Sequence, residues 1–186
     1  MVINTREFLK YKFFNSLFLG LSIGSIFTLY APLEPSIYSL GGIFLAFAML
    51  FIAKIYYKIL NLKAFFLISV LVEVVILLLI LYFLVFNYSY TTALLIYMGY
   101  QLTFVFGSYL LRAETLFFPK AQLLSIIDVI KQKSYLVGML FAYGFYKSLE
   151  YFWQISDKQE QVYLVHFPLL VCEILTIYFL LKAFKK

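Results

Sequence analysis

The sequence predicts an all-α, polytopic transmembrane helix bundle of about six spans with both termini in the cytosol. Three observations carry that prediction. Hydrophobic residues make up 65% of the 186 and charged residues only 13%, whereas soluble domains hold about 45–50% and roughly 25%. The apolar residues gather into runs near 13–31, 36–57, 63–86, 91–112, 134–152 and 163–183. Each is close to the roughly 20 residues that cross a hydrocarbon core, and backbone in such a run has no water to satisfy it, so it must be helical. Finally, the basic residues alternate with the runs in a way that fixes orientation. Arg6, Lys10, Lys12, Lys54, Lys58, Lys63, Arg112, Lys120, Lys131, Lys133, Lys182, Lys185 and Lys186 fall on one side, and only Lys147 and Lys158 on the other. An excess of Lys and Arg marks the cytosolic face. That distribution, rather than a nucleic acid partner, accounts for the net charge of +6.

The first span follows a basic amino terminus and has no small-residue cleavage site after a short apolar region, so it reads as a retained helix. Pro32-Leu33-Glu34-Pro35 breaks the chain before the second span. A basic link, Ala53 to Lys63, leads to the third. Asn87 to Thr92 forms a short polar turn before the fourth, and Ser156 to Gln161 another before the sixth. Residues 113–133 are the ambiguous segment. Pro119 suits a helix start, and Leu123, Leu124, Ile126, Ile127 and Ile130 face away from Gln122, Ser125, Asp128 and Gln132. The pattern predicts an amphipathic helix at the cytosolic surface, or an extension of the fifth span.

Two acids, Glu73 and Glu173, stand at the centres of the third and sixth spans. Acids there are costly, face the bundle interior or a wet cavity, and mark ion, proton or substrate paths. No Lys or Arg lies at their depth, so the neutral, protonated form is the cheaper one, and a carboxyl that releases its proton when a cavity opens couples protons to conformation. The bland alternative is a hydrogen bond between helices. Gln101, at similar depth in the fourth span, orients a polar ligand or bonds a neighbouring helix. Asn15 and Lys147 lie nearer the interfaces, and Lys147 can reach Glu150. Arg112 and Glu114, with Lys58 across the basic link, form a candidate cytosolic gate. Small residues recur every four positions: Ser16, Gly20, Gly24 and Thr28 in the first span, Gly99, Thr103 and Gly107 in the fourth, Ser134, Gly138 and Ala142 in the fifth, and Gly42 and Ala46 in the second. Such stripes let helices approach closely. Tyrosines near 88–100 and 143–151 suit the interfacial aromatic belt or a ring-bearing substrate. His166, before Pro168, is placed at the outer surface, where it is inert or senses pH.

Cys172 is the only cysteine and His166 the only histidine, so no internal disulfide and no His- or Cys-rich metal site is expected. No His-Glu-x-x-His pair, phosphate-cradling Gly-rich loop or Gly-x-Ser-x-Gly elbow occurs. An enzyme is not expected, nor a cofactor.

The layout resembles one six-helix half of the major facilitator superfamily. The first two helices are joined by a short Pro-rich outer turn, and the second and third by the basic link Ala53 to Lys63. The longest cytosolic link lies between the fourth and fifth helices. In that family's loop pattern, Gly-x-x-x-Asp-Arg-x-Gly-Arg-Lys, Ala53 stands at the first Gly, Lys58 at the Arg, Tyr57 at the Asp and Leu60 at the second Gly. The resemblance implies alternating access and, since a full member has two halves, a homodimer. The leading expectation is therefore a small transporter or transporter half in a bacterial cytoplasmic membrane, moving a small solute with protons through Glu73, Glu173 and Gln101. The alternatives are an oligomeric channel and a non-transporting accessory protein bound to a membrane partner.

Overall fold

The computed structural model describes residues 1–86 and 88–185, Lys185 by its backbone alone. Asn87 of the predicted outer turn lies outside the described residues, as do Lys186 and the Lys185 side chain of the terminal basic cluster. The chain folds into α1 (Thr5–Tyr30), α2 (Pro35–Lys54), α3 (Tyr56–Ile59), α4 (Leu62–Val85), α5 (Tyr90–Val105), α6 (Gly107–Phe117), α7 (Ala121–Trp153) and α8 (Lys158–Ala183). The all-α architecture is as the sequence predicts, with one addition. Val2–Ile3 (β1) and Phe184–Lys185 (β2) pair antiparallel, so the two termini meet at one end of the bundle. Among the described residues, five helices are long and apolar enough to cross a membrane: α1, α2, α4, α5 continued through α6, and α8. The predicted fifth span, 134–152, lies in α7, which is not among the five; Lys131, Lys133, Lys147 and Glu150 dilute its apolar character.

Local chemistry explains where the helices start and stop. Asn4 accepts from the Glu7 N–H and caps α1, Asn61 caps α4 through the Ala64 N–H, Ser89 caps α5 and Asp157 caps α8. Pro35 sits in the first turn of α2, where its missing N–H costs nothing. α7 ends at Gln154, whose φ of 55° is the left-handed conformation of a helix cap.

Several predicted boundaries are corrected. α1 begins at Thr5, not near residue 13, because Phe8 and Tyr11 are buried and hold its polar first turns against the rest of the bundle. The second span ends at Lys54, and Tyr56–Ile59 is a separate turn. The fourth is interrupted at Phe106, whose N–H bonds back to Thr103 in a tighter turn. It then continues to Phe117, beyond the predicted 112. The segment 113–133 is divided: residues 113–117 complete α6, and 121–133 form one unbroken helix with the predicted fifth span, α7 from Ala121 to Trp153.

The helices pack in the order α7, α1, α8, α4, α5, α2. α1 and α8 run antiparallel: Phe14 stacks on Phe179 with ring centroids 5.2 Å apart, while Leu29 meets Val162 at the far end. α1 and α7 run parallel, and here the small residues decide the geometry. A methyl group added to Gly20 would strike the Tyr135 carbonyl, and one added to Gly138 the Leu17 carbonyl. Ser16, Ser134 and Ala142, on the same stripes, are buried. Gly24 faces the Tyr146 ring, and Gly99 faces only the flexible end of Leu79. Gly107 is a correction, since a methyl there meets nothing within 4 Å. It marks the α5–α6 break instead of a packing contact. In α2 the close contact belongs to Gly41, against Tyr97, and not to Gly42, which is open.

At the end where the termini meet, Phe8, Phe65, Phe118 and Phe184 form an aromatic cluster with Tyr109 and Ile127 beside it. Aromatic pairs of this kind add about 0.5–1.5 kcal/mol each beyond their buried area, so this end is tied tightly.

Candidate functional site

α4 and α8 each carry one acid midway along an apolar stretch, and their packing brings the two together. Glu73 is 1% exposed and Glu173 0%. Their carboxyls lie close enough to interact directly. α1 supplies the rest of the site from one face, since positions 11 and 15 are a helical turn apart. The Tyr11 hydroxyl donates to Glu73 Oε1 at 2.8 Å, and the Asn15 amide donates to the same oxygen at 3.0 Å. Among the described residues, Glu73 Oε2 and both Glu173 oxygens are buried and meet no hydrogen-bond donor beyond the carboxyl they face. The Cys172 thiol, next to Glu173, points to the Phe14 carbonyl of α1 at 3.3 Å. Tyr100 of α5 lies within the electrostatic reach of Glu173.

Tyr11 and Asn15 were not singled out as site residues from the sequence. Tyr11 falls outside the predicted first span and Asn15 reads as interfacial. The signal that would have found them is their own spacing: two polar side chains one turn apart on a helix otherwise bound for apolar surroundings. Gln101 is not joined to the acids. Its carbonyl oxygen is buried and lacks a partner, but no hydrogen bond links it to either Glu.

A second polar group sits nearer the terminal end. Lys12 of α1 reaches Glu114 of α6 at 2.5 Å, and Lys131 of α7 reaches the other Glu114 oxygen at 3.2 Å and Asp128 at 3.2 Å. Lys12 and Glu114 are buried. Burial alone would lower the affinity of Lys131 for its proton, but the Glu114 and Asp128 carboxylates outweigh it and hold the ammonium above its ordinary range. The predicted gate is corrected accordingly. Glu114 pairs with Lys12 and Lys131 and not with Arg112, which is exposed, and Lys58 is exposed beside the Tyr57 ring. The reason is helical phase: Arg112 and Glu114 are two positions apart, so they face in different directions.

His166 is also corrected. It does not open the sixth span, because α8 starts at Lys158, and its ring is buried against Phe83 at 4.1 Å with Nδ1 on the Val162 carbonyl at 2.6 Å. Lys147 does reach Glu150, at 2.7 Å. At the far end Tyr97 meets Tyr30 and Tyr38 edge to face, and Tyr88 donates to the Thr28 carbonyl at 2.6 Å, so these tyrosines are engaged with one another and with the backbone. Among the described residues, no three of His, Cys, Asp and Glu converge as metal ligands would.

Chemically, the Glu73–Glu173 pair can hold and exchange a proton. Two adjacent carboxylates repel strongly when both are charged, so one proton between them is the minimum that the site needs. Compared with family models, with curated proteins and with solved structures, the chain matches none.

Proposed function

We propose that this chain is a small multi-pass membrane transporter in which the Glu73–Glu173 pair takes up and releases a proton as a solute crosses. The observation that carries the reading is the meeting of two fully buried mid-span acids, close enough to share a proton and, among the described residues, without an ion-pair partner on either. Tyr11 and Asn15 bias the pair by stabilising charge on Glu73 Oε1, so that Glu173 is the carboxyl to be read as the proton carrier. In this conformation the pair is sealed by α1, and exchange with either side requires α1 to move against α4 and α8.

In this reading α7 is the sixth crossing. Its parallel contact with α1 through Gly20 and Gly138 supports that placement, since α1 is itself long and apolar enough to cross. The end carrying both termini faces the cytosol of a cytoplasmic membrane, as the basic residues direct. A two-copy assembly, as in a pair of transporter halves, belongs to the same proposal.

The test is proton movement in proteoliposomes loaded with a pH dye, challenged with small neutral, cationic and anionic solutes. A saturable solute-dependent signal in the wild type, lost in Glu173→Gln and in Glu73→Gln with folding intact, supports the reading. Solute flux that persists unchanged in both variants and without a proton gradient replaces it with the channel. Absence of any flux from folded, oriented protein replaces it with the accessory role.

A further inference from the structure

The four helical segments around the α3–α6 contact carry more cations than they neutralise. Between α3 and α6 lies a cleft of about 700 Å³ lined by Tyr56, Leu60, Ser108, Arg112, Thr115 and Leu116. Ser108, Arg112 and Thr115 are spaced four and three positions apart, which puts them on one face of α6. Arg112 is exposed and, among the described residues, takes no part in the ion pairs, which engage Lys10, Lys12, Lys131 and Lys147. The one acid on α3 or α6 is Glu114, and it is buried and already paired with Lys12 and Lys131. Lys54 closes α2, Lys58 lies on α3 and Lys63 opens α4, and none of them has an acidic partner among the described residues. The walls, by contrast, are apolar: Leu111 is 60% exposed and Leu116 53%, and Leu60 closes the opposite side.

We infer that this cleft is a binding site for an anionic phospholipid, with Arg112 holding the phosphate and Leu60, Leu111 and Leu116 receiving the acyl chains. The guanidinium fork matches two phosphate oxygens in a plane. Ser108 and Tyr56 are free to donate further hydrogen bonds, whereas the Thr115 hydroxyl is already committed to the Leu111 carbonyl at 3.0 Å. The surplus of lysines draws an anionic headgroup and disfavours a zwitterionic one, whose ammonium would meet like charge. An inorganic anion would gain the charge but leave the leucines exposed; a lipid uses both halves of the cleft. The inference is independent of proton transfer at Glu73 and Glu173, which belong to α4 and α8.

Fluorescence quenching in vesicles tests it. Trp153 is the only tryptophan and lies at the other end of α7, so the full-length chain carrying Trp153→Phe and Leu116→Trp reports on the cleft alone. In phosphatidylcholine vesicles, brominated phosphatidylglycerol is expected to quench this reporter well beyond an equal fraction of brominated phosphatidylcholine. Arg112→Gln is expected to lower that preference at least about tenfold, the loss of a charge-assisted hydrogen bond to the phosphate. Lys58→Gln, at the same end but not lining the cleft, should lower it far less. Leu111→Trp serves as a second reporter where Leu116→Trp does not fold. Equal quenching by both lipids overturns the inference. So does an equal loss in Lys58→Gln and Arg112→Gln, which would mean a diffuse field. Relief of quenching by inorganic phosphate would make the site one for a free anion and overturn it also.

Discussion

Tyr11 and Lys12 are adjacent in sequence yet serve two polar groups built on opposite principles. Lys12 belongs to an ion cluster in which Glu114 has a cation on each oxygen and Lys131 has a second carboxylate in Asp128. Tyr11 belongs to a carboxyl pair, Glu73 facing Glu173, in which neither acid has an ion-pair partner among the described residues. The first group is electrically balanced and ties α1, α6 and α7 into one unit. The second is left short of protons or cations and sits where α1 meets α4 and α8. In the proposed reading the balanced cluster holds the bundle together, and the unbalanced pair carries the proton.

The most severe way to break that contrast is to neutralise Glu114. Removing one partner from a buried ion pair costs about 3–5 kcal/mol, because the other charge is left stranded. Glu114→Gln strands Lys12, so it should lower the denaturation midpoint in nanodiscs by a margin larger than any other single change considered for this protein. The double variant Lys12→Met with Glu114→Leu removes both charges and should recover most of that loss. If Glu114→Gln unfolds at the wild-type midpoint, the cluster is ornamental and the comparison fails.

A smaller effect tests the α1–α7 contact on which both groups depend. Gly20→Ala or Gly138→Ala places a methyl against facing backbone carbonyls, and such overpacking costs about 1–3 kcal/mol. Gly107→Ala is the internal control. It meets open space, and exchanging Gly for Ala in a helix should leave stability unchanged or gain up to about 1 kcal/mol. Equal behaviour of all three variants in the same unfolding experiment would show that the helices do not meet at Gly20 and Gly138.

Much of this was legible from the sequence, for reasons that can be traced residue by residue. The apolar runs announced themselves because a membrane demands a minimum length of uninterrupted hydrophobicity, and the two central acids stood out against it. Gly20 and Gly138 were found because stripes of small residues serve one purpose in lipid. What escaped was everything set by the relative rotation of helices. Nothing in the local pattern of α1 says that Tyr11 points to α4 while Lys12 points to α6, so the partner of Glu114 was sought at Arg112, its neighbour in sequence, rather than across the bundle. Gly107 fits the stripe by spacing, but the break at Phe106 interrupts the stripe. The early start of α1 was hidden because Thr5 to Lys12 is polar overall and is held by Phe8 and Tyr11 in the buried cluster and by its side-chain bonds.

The same substitution at the other acid sharpens the comparison. Glu173→Gln replaces a carboxyl that faces Glu73 with an amide that can donate toward it. Its stability should stay within about 1 kcal/mol of wild type, the net worth of one hydrogen bond, while solute-driven proton movement is lost. Tyr11→Phe, which withdraws a donor from Glu73, should destabilise by about 1 kcal/mol. Gln at 114 is then damaging to the fold and Gln at 173 damaging only to function. A Glu173→Gln variant as unstable as Glu114→Gln would assign both acids to the framework and remove the ground for proton exchange.

The smallest effect is a pH dependence confined to the balanced cluster. Lys131 lies before the predicted fifth span, and Glu114 and Asp128 raise its proton affinity above the ordinary value of 10.5. A group that binds its proton more tightly when folded stabilises the fold fully below its unfolded value, and loses that contribution as pH rises through the folded one. Wild-type stability should therefore fall at pH above 10.5 by an amount that Lys131→Met, already less stable at neutral pH, does not show. Because tyrosines ionise over the same interval, the quantity to follow is the difference between the two denaturation midpoints, which should narrow with increasing alkalinity. A constant difference would mean that the charge of Lys131 does not stabilise the fold, and that Lys12 alone balances Glu114.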